Sequence, residues 1–279
     1  MAPGRCPDAR PCTSRHLRGA YTHRDADPPG GVHILPMLRA SMGRLAALAL
    51  VVAAAPVAAQ SVDSLIALNV AARGGMARLR AVRTEWLAGH IVLGPGADAV
   101  DTVELERPLH IRTTLHLNGK TIVQASDGRT TWTINPFAGD TAPHVMEPDL
   151  AANVEAGADF DGPLIDYAAK GNRVTFAGTD TADGRPASLL RVTTAAGLQD
   201  TYFIDAGTHL QTKWSGRRVV HGDTVVYESW FRDYRSVGGV MVAFRIDSDT
   251  RGRPGVQRIR FDSVAVNVPL SPDRFRMAR

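Results

Sequence analysis

The sequence predicts a mainly β protein: a curved antiparallel sheet, or incomplete β-barrel, with an N-terminal helix and a helical lid on its concave face. Three observations predict this fold. Apolar and polar residues alternate with a period of two through most of the chain after residue 82. Turn dipeptides such as Asn118-Gly119 and Asp183-Gly184 separate these runs. Two segments have helical character instead: 62–72, which precedes the alternation, and 143–170, which interrupts it.

The first predicted element is a helix over 62–72. Apolar residues from Val62 to Val70 recur at helical spacing, Asp63 suits the first turn, and Gly74-Gly75 ends the helix. A shorter helical turn is expected over 76–82.

The strands follow, and the clearest one is Leu109 to Leu117, whose odd positions are mostly apolar. The same pattern predicts about eleven strands, nearly all joined by hairpins. A twisted open sheet of more than about ten strands curls or closes. A half-barrel whose concave apolar face is partly covered by the helices is therefore the economical architecture. A β-sandwich, or a closed barrel with the helices as plugs, is the alternative.

The segment 143–170 is the predicted lid. Pro143, Pro148 and Pro163 restrict the backbone at the ends of short helical pieces, and acidic residues between them keep one side in water. The apolar lid residues are Met146, Leu150, Leu164, Ile165 and Tyr167.

The core face of a half-barrel is also the wall of its pocket, so inward-facing apolar residues are the candidate binding residues. Leu109, Ile111 and Leu115 share one face of a strand, and Trp132 and Ile134 share a face of a later strand. The predicted cavity consists of Trp86, Leu105, Leu109, Ile111, Leu115, Trp132, Ile134, Tyr202, Ile204 and Phe244.

The N-terminal 60 residues are predicted to lie outside the folded domain. Residues 1–36 lack a hydrophobic period and indicate a non-native or disordered extension; a genuine extension is the alternative. Residues 37–60 contain a basic start, an apolar run from Leu45 to Ala55 and small residues before a cleavage point, which is typical of a secretory signal peptide. Residues 61–279 are the predicted mature domain. Cys6 and Cys12 precede it, so lipidation of its N-terminus is not expected.

The charge of the predicted domain does not indicate nucleic-acid binding. The chain has 32 Lys and Arg and 28 Asp and Glu; seven and three of these lie in residues 1–60, which leaves 25 of each sign. A neutral domain lacks the basic surface that nucleic acid attracts.

The sequence predicts no catalytic residue, no cofactor and no metal site. No G-x-S-x-G, H-E-x-x-H or Gly-rich phosphate loop occurs. His110 and His116 lie on the polar side of one strand and are predicted to be solvated. The run 247–252 has only a faint likeness to a calcium loop, because Arg251 replaces an oxygen ligand, and is predicted to be a hairpin turn. A basic cluster is predicted to be a solvated strand face, or alternatively a site for anionic lipid: Arg251, Arg253, Arg258 and Arg260.

Several motifs resemble a family of secreted proteins described as outer-membrane lipoprotein-sorting proteins, similar in fold to LolA-like periplasmic carriers. The resemblance covers essentially all of 61–279, with Ala243 and Ala278 standing where the family commonly has Pro. The residues that carry it are Met76 to Trp86, Asp127-Gly128 to Trp132, Ile134 to Phe137, Asp159 to Tyr167, Gly171, Gly178, Asp183-Gly184, Tyr202, Ile204-Asp205, Asp233 to Arg235, Gly238 to Met241, Asn267 to Leu270, and Phe275.

The resemblance implies a periplasmic protein with a hydrophobic cavity for lipid or lipoprotein acyl chains, without catalysis or cofactor. It implies transfer partners at the inner and outer membranes, and an Arg that latches the lid. Arg112 is one candidate for that Arg, although its strand position indicates the polar face. An envelope sensor or interaction module of the same fold is the second hypothesis, and a hydrolase with an unrecognised site is the third.

Overall fold

A computed structural model describes residues 61–94, 97–220, 223–251 and 257–278. The predicted leader, the last residue of the run 247–252 and Arg253 lie outside them. The helices are α1 (Val62–Ala72), α2 (Met76–Ala81) and α3 (Pro148–Ala158), with a 3₁₀ turn at Pro272–Arg274. The strands are β1 (Thr84–Gly94), β2 (Ala97–Glu106), β3 (His110–Leu117), β4 (Lys120–Ser126), β5 (Thr131–Ile134), β6 (His144–Val145), β7 (Arg173–Ala182), β8 (Arg185–Thr193), β9 (Gln199–Asp205), β10 (Gln211–Val220), β11 (Asp223–Val237), β12 (Val240–Thr250) and β13 (Gln257–Val266).

The predicted helix at 62–72 is confirmed, and its ends have local causes. The hydroxyl of Ser61 accepts a hydrogen bond from the amide of Ser64 and caps the first turn. Gly74 and Gly75 both have positive φ, which ends the helix where side chains would be strained.

Hairpin turns form where the sequence predicts them. Both central residues have positive φ at Asn118-Gly119, Asp183-Gly184 and Gly238-Gly239. This backbone geometry matches the right-handed twist of the flanking strands. The chain therefore folds back on itself at each of these three turns.

The thirteen strands form a single antiparallel sheet, which confirms the predicted fold class with two more strands than expected. Strands β1 to β6 form one meander and β7 to β13 a second. The two meanders join in the middle of the sheet through the pairing of β1 with β13. Strands β6 and β7 lie at the two outer edges, so the sheet is open.

The connection from β6 to β7 fixes the curvature of the sheet. This connection contains α3, which contacts β3, β4 and β5 on one side and β10 on the other. Strands β3 and β10 are six positions apart in the sheet, or about 29 Å if the sheet were flat. A helix about 10 Å wide touches both only if the sheet curls around it. We call the space within this curl the hollow.

Apolar clusters fill the hollow beside α3. One packs α1 against β7 to β9 through Leu65, Leu190 and Ile204. A second packs α1 and α2 against the start of β12, and a third joins Leu87, Phe244 and Phe261 in the centre of the sheet. The opposite, convex face carries its own cluster around Trp132, covered by the C-terminal segment with its fully buried Phe275.

A tight backbone contact at Gly89 gives a stability prediction. The register of β1 on β13 shifts between Ala88 and Gly89, and a Cβ at Gly89 would collide with the backbone at Arg260 and Phe261. Gly89→Ala should therefore lower the free energy of unfolding by about 2 kcal/mol or more. Gly207→Ala is the control, because its Cβ would make an ordinary 3.5 Å contact with Asp205. Urea unfolding that shows equal stability for both variants would contradict the contact.

Candidate binding site in the hollow

Helix α3 occupies the hollow, where its buried side chains are small and its Glu155 accepts a hydrogen bond from Thr131 of β5 at 2.7 Å. Pro148 stands at its start and Asp149 in its first turn, which suits a helix N-terminus. Its capping residue, Glu147, makes no side-chain capping bond. Its buried residues are Ala151 and Ala158, so α3 buries little apolar area of its own.

A cavity of about 280 Å³ lies between α3 and the concave face of β3 and β4. Ile111 is buried at this position, and a Cβ at Gly157 would stand 3.2 Å from its Cδ1. The absence of a side chain at Gly157 therefore lets α3 approach β3 closely. The cavity lining combines apolar and polar groups: Ile111, Thr113, Gln124, Met146, Leu150, Asn153, Val154 and Gly157.

A charged clamp holds the chain just after α3. Arg107, in the turn between β2 and β3, donates to both carboxylate oxygens of Asp161 at 2.7 and 2.6 Å. It also donates to the carbonyls of Val82 and Leu79, and its guanidinium lies 4.7 Å from the ring centroid of Phe160. The hydrogen bonds from Arg107 lower the pKa of Asp161, against the opposing effect of burial.

The predicted lid divides into two parts with different packing. Met146 and Leu150 line the cavity under α3. Leu164 and Ile165 are instead buried in the core against α1 and α2. Tyr167 packs at the edge of that core, and its hydroxyl donates to Asp63 at 3.0 Å. The part of the lid after α3 is therefore a fixed element of the core.

Six of the predicted cavity residues lie on the concave face. Strand register places Ile111 opposite Leu105, and Leu115 lies four residues further along the same face of β3. The remaining three belong to the clusters that fill the hollow: Tyr202, Ile204 and Phe244.

The face expected for Trp132 and Ile134 is corrected by the strand register. Ile111 pairs with Ser126, and Ser126 pairs with Thr131, so Trp132 and Ile134 point to the convex side. There the indole nitrogen of Trp132 donates to the carbonyl of Phe275 at 2.8 Å. The expectation that one face of the sheet is exposed to solvent is wrong here, because the C-terminal segment buries the convex face.

Two further predicted cavity residues lie elsewhere. Trp86 pairs with Glu104, whose carboxylate contacts Arg274 on the convex side, so Trp86 is also on that side. Leu109 precedes β3 and is 45% exposed.

Arg112 also lies on the convex face, which corrects its candidacy as a lid latch. Its guanidinium donates to the carbonyl of Arg274 at 2.8 Å and lies 5.6 Å from the ring centroid of Trp132. Arg107 and Arg73 contact the chain after α3 instead, since Arg73 donates to the carbonyl of Asp161 at 3.4 Å. The sequence signal for the clamp was available in the motif Asp159 to Tyr167, where an acidic residue flanks an aromatic one.

Solved structures with the same architecture give the fold its name. A putative outer membrane lipoprotein-sorting protein domain from Vibrio parahaemolyticus aligns with a TM-score of 0.53 at 8% identity, over 77% of this chain and 95% of that one. A LolA superfamily protein from Nitrosomonas europaea aligns with a TM-score of 0.53 at 13% identity, over 77% and 97%. The chain has a LolA-like fold.

A DUF1329 family protein from Desulfovibrio piger shares the LolA-like fold with a TM-score of 0.53 at 12% identity, over 78% of this chain and 98% of that one. No protein-family model matches the sequence, and neither does any curated protein. At these identities the similarity concerns the fold.

Two carboxyl groups on the concave face were missed by the sequence reasoning. Glu85 pairs with Leu105 and Val266, in phase with the apolar residue Leu87, which was the available signal. Burial raises the pKa of Glu85 to about 7, and the nearby charge of Arg73 offsets part of this effect. Burial also raises the pKa of Asp101 to about 6; its Oδ1 has no hydrogen-bond partner in the described part of the chain.

The clamp predicts a pH-dependent contribution to stability. Because the pKa of Asp161 is lowered in the folded state, its ionised form stabilises the fold above the ordinary Asp pKa of about 3.9. Asp161→Asn should cost about 1.5–3 kcal/mol at pH 7, and the difference should vanish as the pH falls through the lowered pKa. Asp233→Asn, in an exposed pair with Arg235, should change stability little. If denaturant titrations gave the same difference in unfolding free energy between Asp161→Asn and wild type from pH 7 to pH 2, the ionic clamp would be ruled out.

For Glu85 we expect the stability of the fold to change with pH in the opposite direction. A raised pKa means that ionisation of Glu85 opposes folding at high pH, and that the penalty disappears below the ordinary Glu pKa of about 4.3. Stability should therefore fall by up to about 3 kcal/mol between pH 4 and pH 8 in the wild type, and this fall should be reduced in Glu85→Gln. Glu147→Gln, at an exposed position, should retain the wild-type pH profile. Identical profiles for Glu85→Gln and wild type in thermal melts would refute this role.

Proposed function

We propose that this protein is a periplasmic carrier that binds an acyl chain of a lipid or lipoprotein in the hollow and delivers it toward the outer membrane. One observation carries the proposal: α3 lies in the hollow, over a cavity lined by Ile111, Met146 and Leu150. The LolA-like fold supports it, as does the similarity to the outer membrane lipoprotein-sorting protein domain from Vibrio parahaemolyticus. The predicted signal peptide at 37–60 supports export.

Entry of an acyl chain would require α3 to move. The cavity of about 280 Å³ lies just below the range of about 300–1,000 Å³ that ligand pockets typically occupy. Displacement of α3 would uncover only two buried alanines and would break the hydrogen bond that Thr131 donates to Glu155 at 2.7 Å, and the helix has no side-chain cap to lose. The clamp at Asp161 would hold the C-terminal end of the helix in place while the rest shifts.

Burial of methylene groups would drive binding. Each buried CH₂ contributes about 0.8 kcal/mol, so a chain of about fifteen methylenes gains on the order of 12 kcal/mol gross. Return of α3 to the hollow would compete with the chain for the same surface. This competition allows release to an acceptor, which a rigid closed pocket would prevent. The carrier needs no cofactor or catalytic group, and its partners would be membrane donors and acceptors rather than nucleic acid.

An interaction module that regulates an envelope partner is the second candidate function. The observation that favours it is the outer edge of β7, which runs for ten residues and pairs within the described chain only with β8. Such an edge can accept an extended segment of another protein. The bulge between Phe176 and Thr179 limits how long that added strand could be.

Adjacent threonines on β3 provide a matched test of the carrier proposal. Thr113 lines the cavity, whereas Thr114 pairs with Val123 on the convex side. Thr113→Glu should place a carboxylate beside the acyl chain and abolish binding of a fluorescent fatty acid, because the buried charge lacks a partner. Thr114→Glu should leave binding close to the wild-type value.

The two variants separate the possible outcomes. Equal loss of binding in both would mean that the hollow is not the site. A wild-type protein that binds no acyl probe, although amide hydrogen exchange shows that α3 is free to move, would overturn the carrier and favour the interaction module.

Among the described helices, none is long and apolar enough to span a membrane.

A further inference from the structure

The cavity under α3 is lined in part by uncharged polar side chains. Thr113 and Gln124 line it from the strands, and Asn153 lines it from α3. Ile111 and Leu150 are among the apolar residues beside them. None of the described residues that line the cavity carries a charge. The cavity is therefore polar on one side and apolar on the other, without an ionic group.

Thr113 and Gln124 form the centre of this polar side. They pair directly on β3 and β4, and both line the cavity on the concave face. Residues opposite each other in an antiparallel pair have Cβ atoms about 4.5–5.5 Å apart. One small group of a ligand can therefore contact the hydroxyl and the amide at the same time.

These two side chains have no hydrogen-bond partner within the part of the chain that the structure describes. Their polar neighbours on the same face do have partners. Thr131 donates to Glu155 at 2.7 Å and shares a hydrogen bond with Ser126 at 3.0 Å. Thr133, which pairs with the cavity-lining residue of β4, donates to the carbonyl of Val123 at 2.8 Å. On β3 to β5, the unused hydrogen-bonding groups of this face thus belong to the side chains that line the cavity.

This distribution of polar groups selects the chemistry of a ligand. A hydrocarbon placed against them would exclude water without replacing its hydrogen bonds, and an unpaired buried hydroxyl or amide opposes binding. A charged group would lose its hydration with no opposite charge in the lining to compensate for it. The chemistry that fits is an uncharged group that both donates and accepts hydrogen bonds.

We propose that the cavity under α3 recognises the carboxamide group of a small neutral ligand, which pairs with the amide of Gln124 and bonds to the hydroxyl of Thr113. A carboxamide carries its donor and its acceptor on adjacent atoms, as the side chain of Gln124 does, so the two amides can form a pair of hydrogen bonds. Met146 and Leu150 would contact the apolar part of the ligand. A small molecule suits the volume of about 280 Å³ without displacement of α3, so the proposal does not depend on an acyl ligand.

Probes of nearly equal shape test the recognition: hexanamide, 2-heptanone and hexanoate. The ketone has a methyl group in place of the amide nitrogen, and hexanoate carries a charge. In NMR titrations of the wild-type protein, hexanamide should bind roughly tenfold more tightly than either, as expected for the added hydrogen bonds. A cavity without amide recognition would favour the ketone, which is the most apolar probe. Binding of the ketone that equals or exceeds binding of hexanamide would overturn the proposal.

Substitutions that keep side-chain size test the residues. Gln124→Met should abolish the preference for hexanamide while the ketone still binds, which also shows that the cavity is intact. Thr113→Val should reduce the preference severalfold. Thr114→Val is the matched control on the convex face and should keep the wild-type preference. An unchanged preference in Gln124→Met, or equal weakening of both ligands, would contradict the pairing of amides.

A peptide bond and a hydrocarbon amide share this chemistry, and a further ligand separates them. N-acetylleucine methylamide is one peptide unit with an apolar side chain. Tighter binding of this compound than of hexanamide would support the site and identify a peptide as the source of the amide. Weaker binding would support the site with a hydrocarbon amide.

The same titrations distinguish this site from the proposed carrier function. A wild-type protein that binds the fluorescent fatty acid but not hexanamide would overturn the amide site and leave the carrier in place. A protein that binds hexanamide but not the fatty acid would support the amide site and remove the carrier. Binding of neither would overturn both.

Discussion

The structure depends on a topological constraint: the chain leaves the sheet at one outer edge and re-enters it at the other. Each meander is closed by hairpins, and the strands at its ends, β1 and β13, pair in the centre. The connection after β6 must therefore cross the whole width of the sheet. Because this connection crosses on the concave side, α3 lies in the hollow. As in any α-helix, the backbone N–H and C=O groups of α3 bond to one another.

This connection joins a helix that buries small side chains to a segment that is buried in the core. Helix α3 buries only alanines, whereas the chain that follows it buries Leu164 and Ile165 and is tied to the β2–β3 turn by Arg107. The chain after α3 is stabilised by apolar burial and by a bidentate ion pair, whereas α3 itself makes only small contacts.

The sequence predicted the fold class and the helices well, because period-two alternation and turn dipeptides are local signals. The hairpin at Asn118-Gly119 and the helix at 62–72 follow from residues within a few positions of one another. The short strand β6 has two residues, too few for an alternation to show. The face of Trp132 could not be read from the alternation alone, because it depends on residues 143 positions further along the chain that cover it. Likewise, the partner of Asp161 lies 54 positions away.

The C-terminal segment has a consequence for the elasticity of the sheet. Phe275 is fully buried. The side chain of Arg274 donates to Glu104 of β2, and the carbonyl of Arg274 accepts from Arg112 of β3. Because the same segment also accepts from Trp132 of β5, it braces three strands from behind. A sheet that is braced in this way resists a change of curvature. The C-terminal segment thus stiffens the sheet from its convex face, without lining the hollow.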